Sequence, residues 1–470
     1  MRRLAALLAV LALATAAACG GGGGGGGDED GGRAGADDVD PSACPVDALE
    51  AADGPVEIEF WHAMTAANET VLGDLVKAYN DSQDEVRVDA TFAGTYAESL
   101  DKYLTGLRGG NVPDVVQLEE TAIQLMIDSN SVTPASACIE AASYDTSDFL
   151  PRVLDEFTVE EVLWPMPFNV SNPVLYYNKV AFEAAGLDPE TPPATLEEVR
   201  EASRQIVDSG AAKYGMSIEV QGWYIEQWYA KAGEAIVDND NGRSARATAA
   251  TLDKPVGEEI FGWLRSMLDD ELALNVGRNP SGADHLLAIA SGDAAMTIGS
   301  SAALGSIYDV LQGNPGLASR VDLGVGPLPG SDQGGVVVGG ASLWMIDRSS
   351  DAEKAAVWDF VTWLDEPEQQ ATWHAGTGYI PIRTSAAERP EITQLWTERP
   401  GFEVAFRQLT ESEAPPGGGG PVIGGYPGFR DALEEAIERV MLQDAPAADA
   451  LAAAQEKADA AIKAYNDRIG

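Results

Sequence analysis

Three histidines make up the whole imidazole inventory of the 470 residues, and His62, His285 and His374 lie far apart in the chain. No His-x-x-x-His or Cys-x-x-Cys spacing occurs, so a metal centre built on those ligands is not expected. A Gly-x-Ser-x-Gly elbow and a phosphate-binding P-loop are also missing. Paired carboxylates could be chosen almost anywhere among the 75 acidic residues, so counting alone does not exclude a glycosidase. Asp238-Asn239-Asp240-Asn241-Gly242 has the composition of a calcium loop, but its glycine is out of phase with that pattern and a plain turn fits better.

Two features point to binding instead of bond-breaking. Arg430 falls at the predicted start of the last large amphipathic helix, where the helix dipole disfavours a cation by about 0.3–1 kcal/mol unless an anion sits nearby. An arginine there, reached through the glycine-rich stretch 415–428 as a flexible loop, has the form of an anion clamp; the alternative is an arginine pointing to solvent. The second feature is the cluster Trp223, Tyr224, Trp228 and Tyr229. It suits either a core or a platform for a glycerol backbone or quaternary ammonium, and the residues alone favour the core.

The elements that would hold these groups alternate. Residues 56–60 have period two, Val71, Leu72, Leu75, Val76 and Tyr79 recur at helical spacing, and Val86, Val88, Ala90 and Phe92 alternate again. Residues 114–118 read as a short buried strand, and 173–177 open a second alternating set. Thr195–Glu198 and Ser350–Glu353 have the form of capping boxes, the first opening a helix to about Asp208. The last large helix carries Phe429, Leu433, Ile437 and Val440 as its apolar stripe. This βαβ rhythm predicts an α/β protein with largely parallel sheets.

Arg2 and Arg3, the apolar run 4–14 and Ala16-Ala17-Ala18 before Cys19 read as an export signal. A cysteine at that point resembles the bacterial lipoprotein pattern, with Ala16 where leucine is usual, and implies a lipid anchor on Cys19; the alternative is an ordinary signal peptide. The glycine run 20–27 and the acidic sequence to about Gly54 are expected to be a flexible tether. About 415 residues follow it, too many for one compact core, so two lobes are expected. Cys44 and Cys138 remain as an even pair in an exported chain, and a disulfide is expected, two buried free thiols being the alternative. It would close a loop of about 95 residues and contribute about 4–5 kcal/mol in the chain-entropy view. A formal charge of −45 leaves no basic track for nucleic acid and favours solubility.

Five collinear strings now carry a resemblance: Phe60-Trp61-His62-Ala63-Met64, Gly94-Thr95-Tyr96, the segment 167–179 (PFNVSNPVLYYNK), the segment 339–344 (GGASLW) and the segment 377–382 (TGYIPI). Over about 56–464 the chain resembles the glycerol-3-phosphate-binding members of the extracellular solute-binding family that includes maltose-binding protein. The resemblance implies a two-lobed periplasmic-binding-protein-like α/β fold, with a ligand cleft at the hinge. Its lobes would be discontinuous, 54–168 with 343–385 and 172–338 with 390–470. It implies ligand contacts at Tyr96, Glu120, Ser171, Trp223, Ser300, Gly340, Tyr379 and Arg430, with Glu120 accepting from glycerol hydroxyls and Arg430 donating to phosphate.

One departure stands out against that family. Two tryptophans bracket Gln-Gly in the glycerol-3-phosphate binders, whereas this chain has Val220-Gln221-Gly222-Trp223. Val220 is therefore expected to leave a roomier pocket, suited to a glycerophosphodiester such as glycerophosphocholine or else to glycerol 3-phosphate itself.

The leading reading is a monomeric, lipid-anchored substrate-binding protein of an ABC importer, on the outer face of the cytoplasmic membrane, delivering its ligand to permease subunits. No cofactor, metal or catalytic residue is expected. The alternatives are an oligosaccharide receptor on the same fold and an exported glycoside or phosphodiester hydrolase.

Overall fold

A computed structural model of the chain describes residues 39–279 and 282–469. The export signal, Cys19 and most of the tether lie outside the described residues. Among the described residues no helix is long and apolar enough to cross a membrane.

In chain order the strands are β1 (Val56–His62), β2 (Val86–Phe92), β3 (Val115–Glu119), β4 (Val132–Thr133), β5 (Thr158–Val159), β6 (Val162–Leu163), β7 (Met166–Ser171), β8 (Pro173–Asn178), β9 (Tyr214–Glu219), β10 (Ala273–Gly277), β11 (Ala294–Ser300), β12 (Leu323–Pro327) and β13 (Gly339–Ile346). They form two main sheets. The first has the order β2-β1-β3-β13-β4, with β7 also paired to β13; the second has the order β10-β9-β11-β8-β12. A small β5–β6 hairpin stands apart.

The sheets are mixed, which corrects the expectation of largely parallel ones. β1 pairs in parallel with β2 and β3, and β9 with β10 and β11, as βαβ units require. The antiparallel partners are β13 and β7 in the first sheet and β8 and β12 in the second. Their positions explain the direction. β7 and β8 are separated by Asn172 alone, so one nearly continuous extended segment leaves the first sheet and enters the second. The chain returns from β12 in the second sheet to β13 in the first. Crossing segments enter from the opposite lobe, free of the helical crossover that forces parallel pairing.

Asn172 is fully buried and pinned at this crossing. Its side chain donates to the Ala405 carbonyl (3.0 Å) and accepts from Gln408 (2.9 Å), and its own carbonyl accepts from the Ser301 N–H (3.0 Å). A second link is the bridge between Val170 and Ile380, where the Ile380 N–H donates to the Val170 carbonyl at 2.7 Å.

Local signals explain most helix starts. Thr195 with Glu198 and Ser350 with Glu353 form reciprocal capping boxes on helices Leu196–Ser209 and Asp351–Leu364. Cys44 and Cys138 form a disulfide with Cα atoms 5.0 Å apart, tying the start of the described chain to helix Ala135–Ala142. Asp238–Gly242 is a left-handed turn, with φ of 52°, 52° and 59° at Asn239, Asp240 and Asn241. Asn241 accepts from the Ile236 N–H inside it.

The glycine-rich segment differs from the flexible loop expected. Residues 419–424 are buried, and the Gly420 N–H donates to the buried Glu156 carboxylate, which also meets Arg243 at 3.1 Å. Small residues let this backbone pack closely, so composition alone misled.

Candidate functional site

A cavity of about 600 Å³ opens where the two sheets exchange strands. Its walls include Tyr96, Glu120, Ser171, Trp223, Ser300, Gly340 and Tyr379, seven of the eight ligand contacts expected from the sequence. Glu119, Gln221, Tyr176 and Glu219 also line it. The eighth, Arg430, is absent from the wall.

Tyr96 begins helix Tyr96–Gly109, and the Gly94-Thr95-Tyr96 string now has a physical reason. Thr95 and Glu98 form a third capping box. Gly94, at φ +99°, lets the Glu98 side chain fold back where a Cβ would come within 2.8 Å of it. The Tyr96 hydroxyl lies 3.2 Å from that of Tyr379.

Behind these tyrosines runs a relay whose direction a backbone amide fixes. The Ala63 N–H donates to Gln117 Oε1 (2.9 Å), Gln117 Nε2 donates to Asn169 Oδ1 (2.7 Å), and Asn169 Nδ2 donates to the Tyr96 oxygen (2.8 Å). Gln117 and Asn169 are fully buried. Tyr96 therefore uses an acceptor site on Asn169, and the protons of the two phenols are left for each other and for the cavity. Burial pushes both hydroxyls above the ordinary phenol range, so they act as neutral donors. Tyr379 is held flat by stacking on Trp373 (centroids 5.3 Å apart), and its carbonyl meets His374 Nδ1 at 2.6 Å.

Gly340 and Gly339 serve different needs. Gly340 has φ +101°, and a Cβ there would stand 2.1 Å from the Asn169 carbonyl oxygen, so any side chain would disturb the relay. At Gly339 a Cβ would come within 2.4 Å of the Trp223 ring, which lies against that backbone. The Trp223 Nε1 is buried and lacks a partner. Ser171 ends β7 and is buried, while the Ser300 hydroxyl accepts from the Ala302 N–H at 3.2 Å.

Arg430 sits in helix Tyr426–Leu442, one layer behind the wall, wrapped by three carboxylates. Its Nε and Nη2 donate to Glu226 (3.0 and 3.1 Å), Nη2 also donates to Glu120 (3.0 Å), and Nη1 meets Glu119 at 3.3 Å. Tyr426 donates to Glu226 as well, at 3.0 Å. Burial above all, then the Glu119 charge beside it, holds Glu120 well above the usual carboxylate range, against the pull of Arg430. The Glu120 Oε2 atom is buried with no partner. Sequence reasoning missed Glu226 because it lies within the aromatic run 223–229, where the pattern speaks only of packing.

Val220 corrects another expectation. It is 4% exposed, packs in the core and does not line the cavity, although Gln221 and Trp223 do. The backbone explains this: the Val220 N–H still pairs with the Gly277 carbonyl (2.9 Å) beyond the end of β9, and the helix that turns its residues to the cavity starts only at Gly222.

The family described as bacterial extracellular solute-binding protein matches residues 74–402. The chain belongs to that family. The sn-glycerol-3-phosphate-binding periplasmic protein UgpB of Rhizobium meliloti is 31% identical over 421 residues, covering 88% of this chain and 95% of that protein. The protein of that name from Pectobacterium atrosepticum is 30% identical over 437 residues, 90% and 96% of the two chains. Among solved structures, UgpB from Mycobacterium tuberculosis in complex with glycerophosphocholine superposes with a TM-score of 0.70 at 22% identity, covering 89% and 99%. The cyclic alpha-maltosyl-1,6-maltose binding protein of Arthrobacter globiformis gives 0.70 at 23% identity, covering 87% and 100%. These structures share the two-lobed fold of this solute-binding chain.

Proposed function

We propose that this protein captures a glycerophosphodiester such as glycerophosphocholine, or glycerol 3-phosphate, and hands it unchanged to the permease of an ABC importer. In this reading it acts as a monomer anchored through Cys19 on the outer face of the cytoplasmic membrane. The lobes 54–168 with 343–385 and 172–338 with 390–470 hinge at the strand crossings. The observation that carries the reading is one cavity lined by the Tyr96–Tyr379 donors and by Glu119 and Glu120, with Arg430 paired to both carboxylates from behind the wall. Identity of about 30% to UgpB proteins over most of the chain supports it.

The roles differ by charge. Tyr379, Ser171, Ser300 and the Trp223 N–H are neutral donors for phosphate oxygens, and the Gly340 turn keeps their backbone close. Glu119 and Glu120 accept from glycerol hydroxyls and attract a cationic head group. Glu226 anchors one edge of Arg430, so a phosphate would compete with Glu119 for Nη1. Three carboxylates around one arginine disfavour a dianionic monoester and favour a zwitterionic diester.

A second reading, an oligosaccharide receptor, draws support from the carboxylates and aromatic rings on the wall and from Arg430 lying behind it. Calorimetry with glycerophosphocholine, glycerol 3-phosphate and maltose separates the two. Binding of the first with weaker binding of the second is expected, and saturable binding of maltose alone would overturn the glycerol-phosphate reading. Phosphorus NMR of glycerophosphocholine incubated with the protein should show no product; its appearance would replace a carrier by a hydrolase.

A further inference from the structure

The cavity continues past its polar end into an arm of different chemistry. Beyond Ser300 it runs between helices Asp284–Ser291 and Leu304–Gly313, and Leu286, Ile289, Ile307, Leu311, Leu317 and Leu323 line it. On these two helices the polar side chains that line the cavity are Ser306 and His285, and His285 is buried, so that desolvation lowers its pKa and favours the uncharged ring. Leu287 and Val310, also on its walls, are 57% and 49% exposed, two of the few large apolar side chains left open to solvent. A polar solute has no use for such a surface, and apolar side chains gathered along one concave wall are what ligand sites for apolar groups are built from.

The arm is continuous with the polar end, and a cavity of about 600 Å³ is in the range that holds a drug-sized ligand. At the boundary stands Asn68, which donates to the Ala302 carbonyl (3.3 Å) while its Oδ1 is buried without a partner. That acceptor suits a free glycerol hydroxyl.

We infer that the site accepts monoacyl glycerophosphodiesters, with the head group among Tyr96, Glu120 and Tyr379 and the acyl chain in the apolar arm. This rests on the proposed head-group reading and extends its substrate class from a water-soluble diester to a lysophospholipid. A neutral chain matches an uncharged arm, and its continuity with the head-group site favours one amphiphilic ligand over two separate ones.

The experiment is calorimetry with glycerophosphocholine and its 1-hexanoyl and 1-octanoyl derivatives, all below their micellar concentrations. The acylated forms should bind with one-to-one stoichiometry, each methylene that reaches the arm tightening binding about fourfold. Leu287→Asp, at an exposed position that folding tolerates, should cut the gain between the two acylated forms to below twofold. Glycerophosphocholine binding with no gain from either chain, or a gain untouched by Leu287→Asp, overturns the inference and leaves the head-group reading standing. Saturable binding of the acylated forms without glycerophosphocholine supports the arm and counts against the head-group site. Failure of all three to bind overturns both.

Discussion

Along one stretch of the cavity wall, a line of neutral hydrogen bonds runs from the Ala63 N–H through Gln117 and Asn169 to the Tyr96 and Tyr379 hydroxyls. Along the adjoining stretch, at the end of the same strand β3, Glu119 and Glu120 meet Arg430, which Glu226 holds from behind, and one Glu120 oxygen has no partner. The first wall is complete without a ligand and presents donors in a fixed direction. The second carries an excess of negative charge in a desolvated place, which a ligand can relieve. Neutral, prealigned donors give geometric selectivity; an unbalanced charge cluster gives selectivity by the sign of the head group.

The largest effect should come from removing the cation of the second wall. Arg430→Ala leaves Glu226, only 3% exposed, beside two further carboxylates with no compensating charge. The loss should be about 3–5 kcal/mol of stability in urea unfolding, together with loss of detectable ligand binding in calorimetry. The sequence alone suggests a variant that folds normally and merely fails to bind. An unfolding midpoint unchanged in Arg430→Ala would mean that Arg430 compensates no buried charge, and the contrast between the walls would collapse.

The neutral wall should show its character through pH. His374 is buried, accepts from Trp396 Nε1 at 2.8 Å and meets the Tyr379 carbonyl through Nδ1, so it is held as the neutral Nδ1–H tautomer. Burial lowers its pKa from 6.5 to about 4. Between these values the unfolded chain binds the proton that the folded chain refuses. Its contribution is therefore full above about pH 6.5 and is lost as pH falls toward 4, by up to about 3 kcal/mol. His374→Gln keeps one donor and one acceptor but cannot titrate. Urea unfolding at pH 7.5 and 4.5 should lose about 2–3 kcal/mol less in the variant than in the wild type. Equal losses would show that His374 is not held neutral.

Much of this architecture is legible in residue order, and the exceptions share a cause. The spacing of Leu72, Leu75, Val76 and Tyr79 and the boxes at Thr195 and Ser350 mark helices because the signal is local. Strand direction is not local: β13 runs antiparallel to β3 because it returns from the other sheet. Likewise, the resemblance gathers seven residues on one cavity, but Arg430 stands behind it because Glu226, invisible within an aromatic run, holds it there. The glycines at 419 and 420 suggest mobility and instead pack tightly, since composition cannot say what approaches a missing Cβ.

Val220 tests placement at a smaller scale. With Val220 in the core, Val220→Trp should cost roughly 1–3 kcal/mol by overpacking, read in urea unfolding. The affinity ratio of glycerophosphocholine to glycerol 3-phosphate should not move. A ratio that shifts toward the monoester, with stability unchanged, would return Val220 to the cavity wall.

The smallest effect, and the sharpest for the comparison, concerns a single proton. Because the Ala63 N–H can only donate, Gln117 and Asn169 are oriented so that Asn169 donates to Tyr96, which leaves the two phenol protons for the Tyr96–Tyr379 contact and the cavity. Tyr379→Phe removes one of them and leaves no buried charge behind, so affinity should fall about tenfold, near 1.4 kcal/mol, with little change in unfolding. Asn169→Asp reverses the relay: a carboxylate would accept from the Tyr96 hydroxyl, Tyr96 would then accept from Tyr379, and the cavity would lose the same donor while Tyr379 keeps its ring. Calorimetry of both variants should therefore give similar losses. If Asn169→Asp binds as tightly as the wild type, donor direction does not matter and the neutral wall acts by shape alone. If Tyr379→Phe instead lowers stability by as much as affinity, its hydroxyl supports the fold more than it serves the ligand.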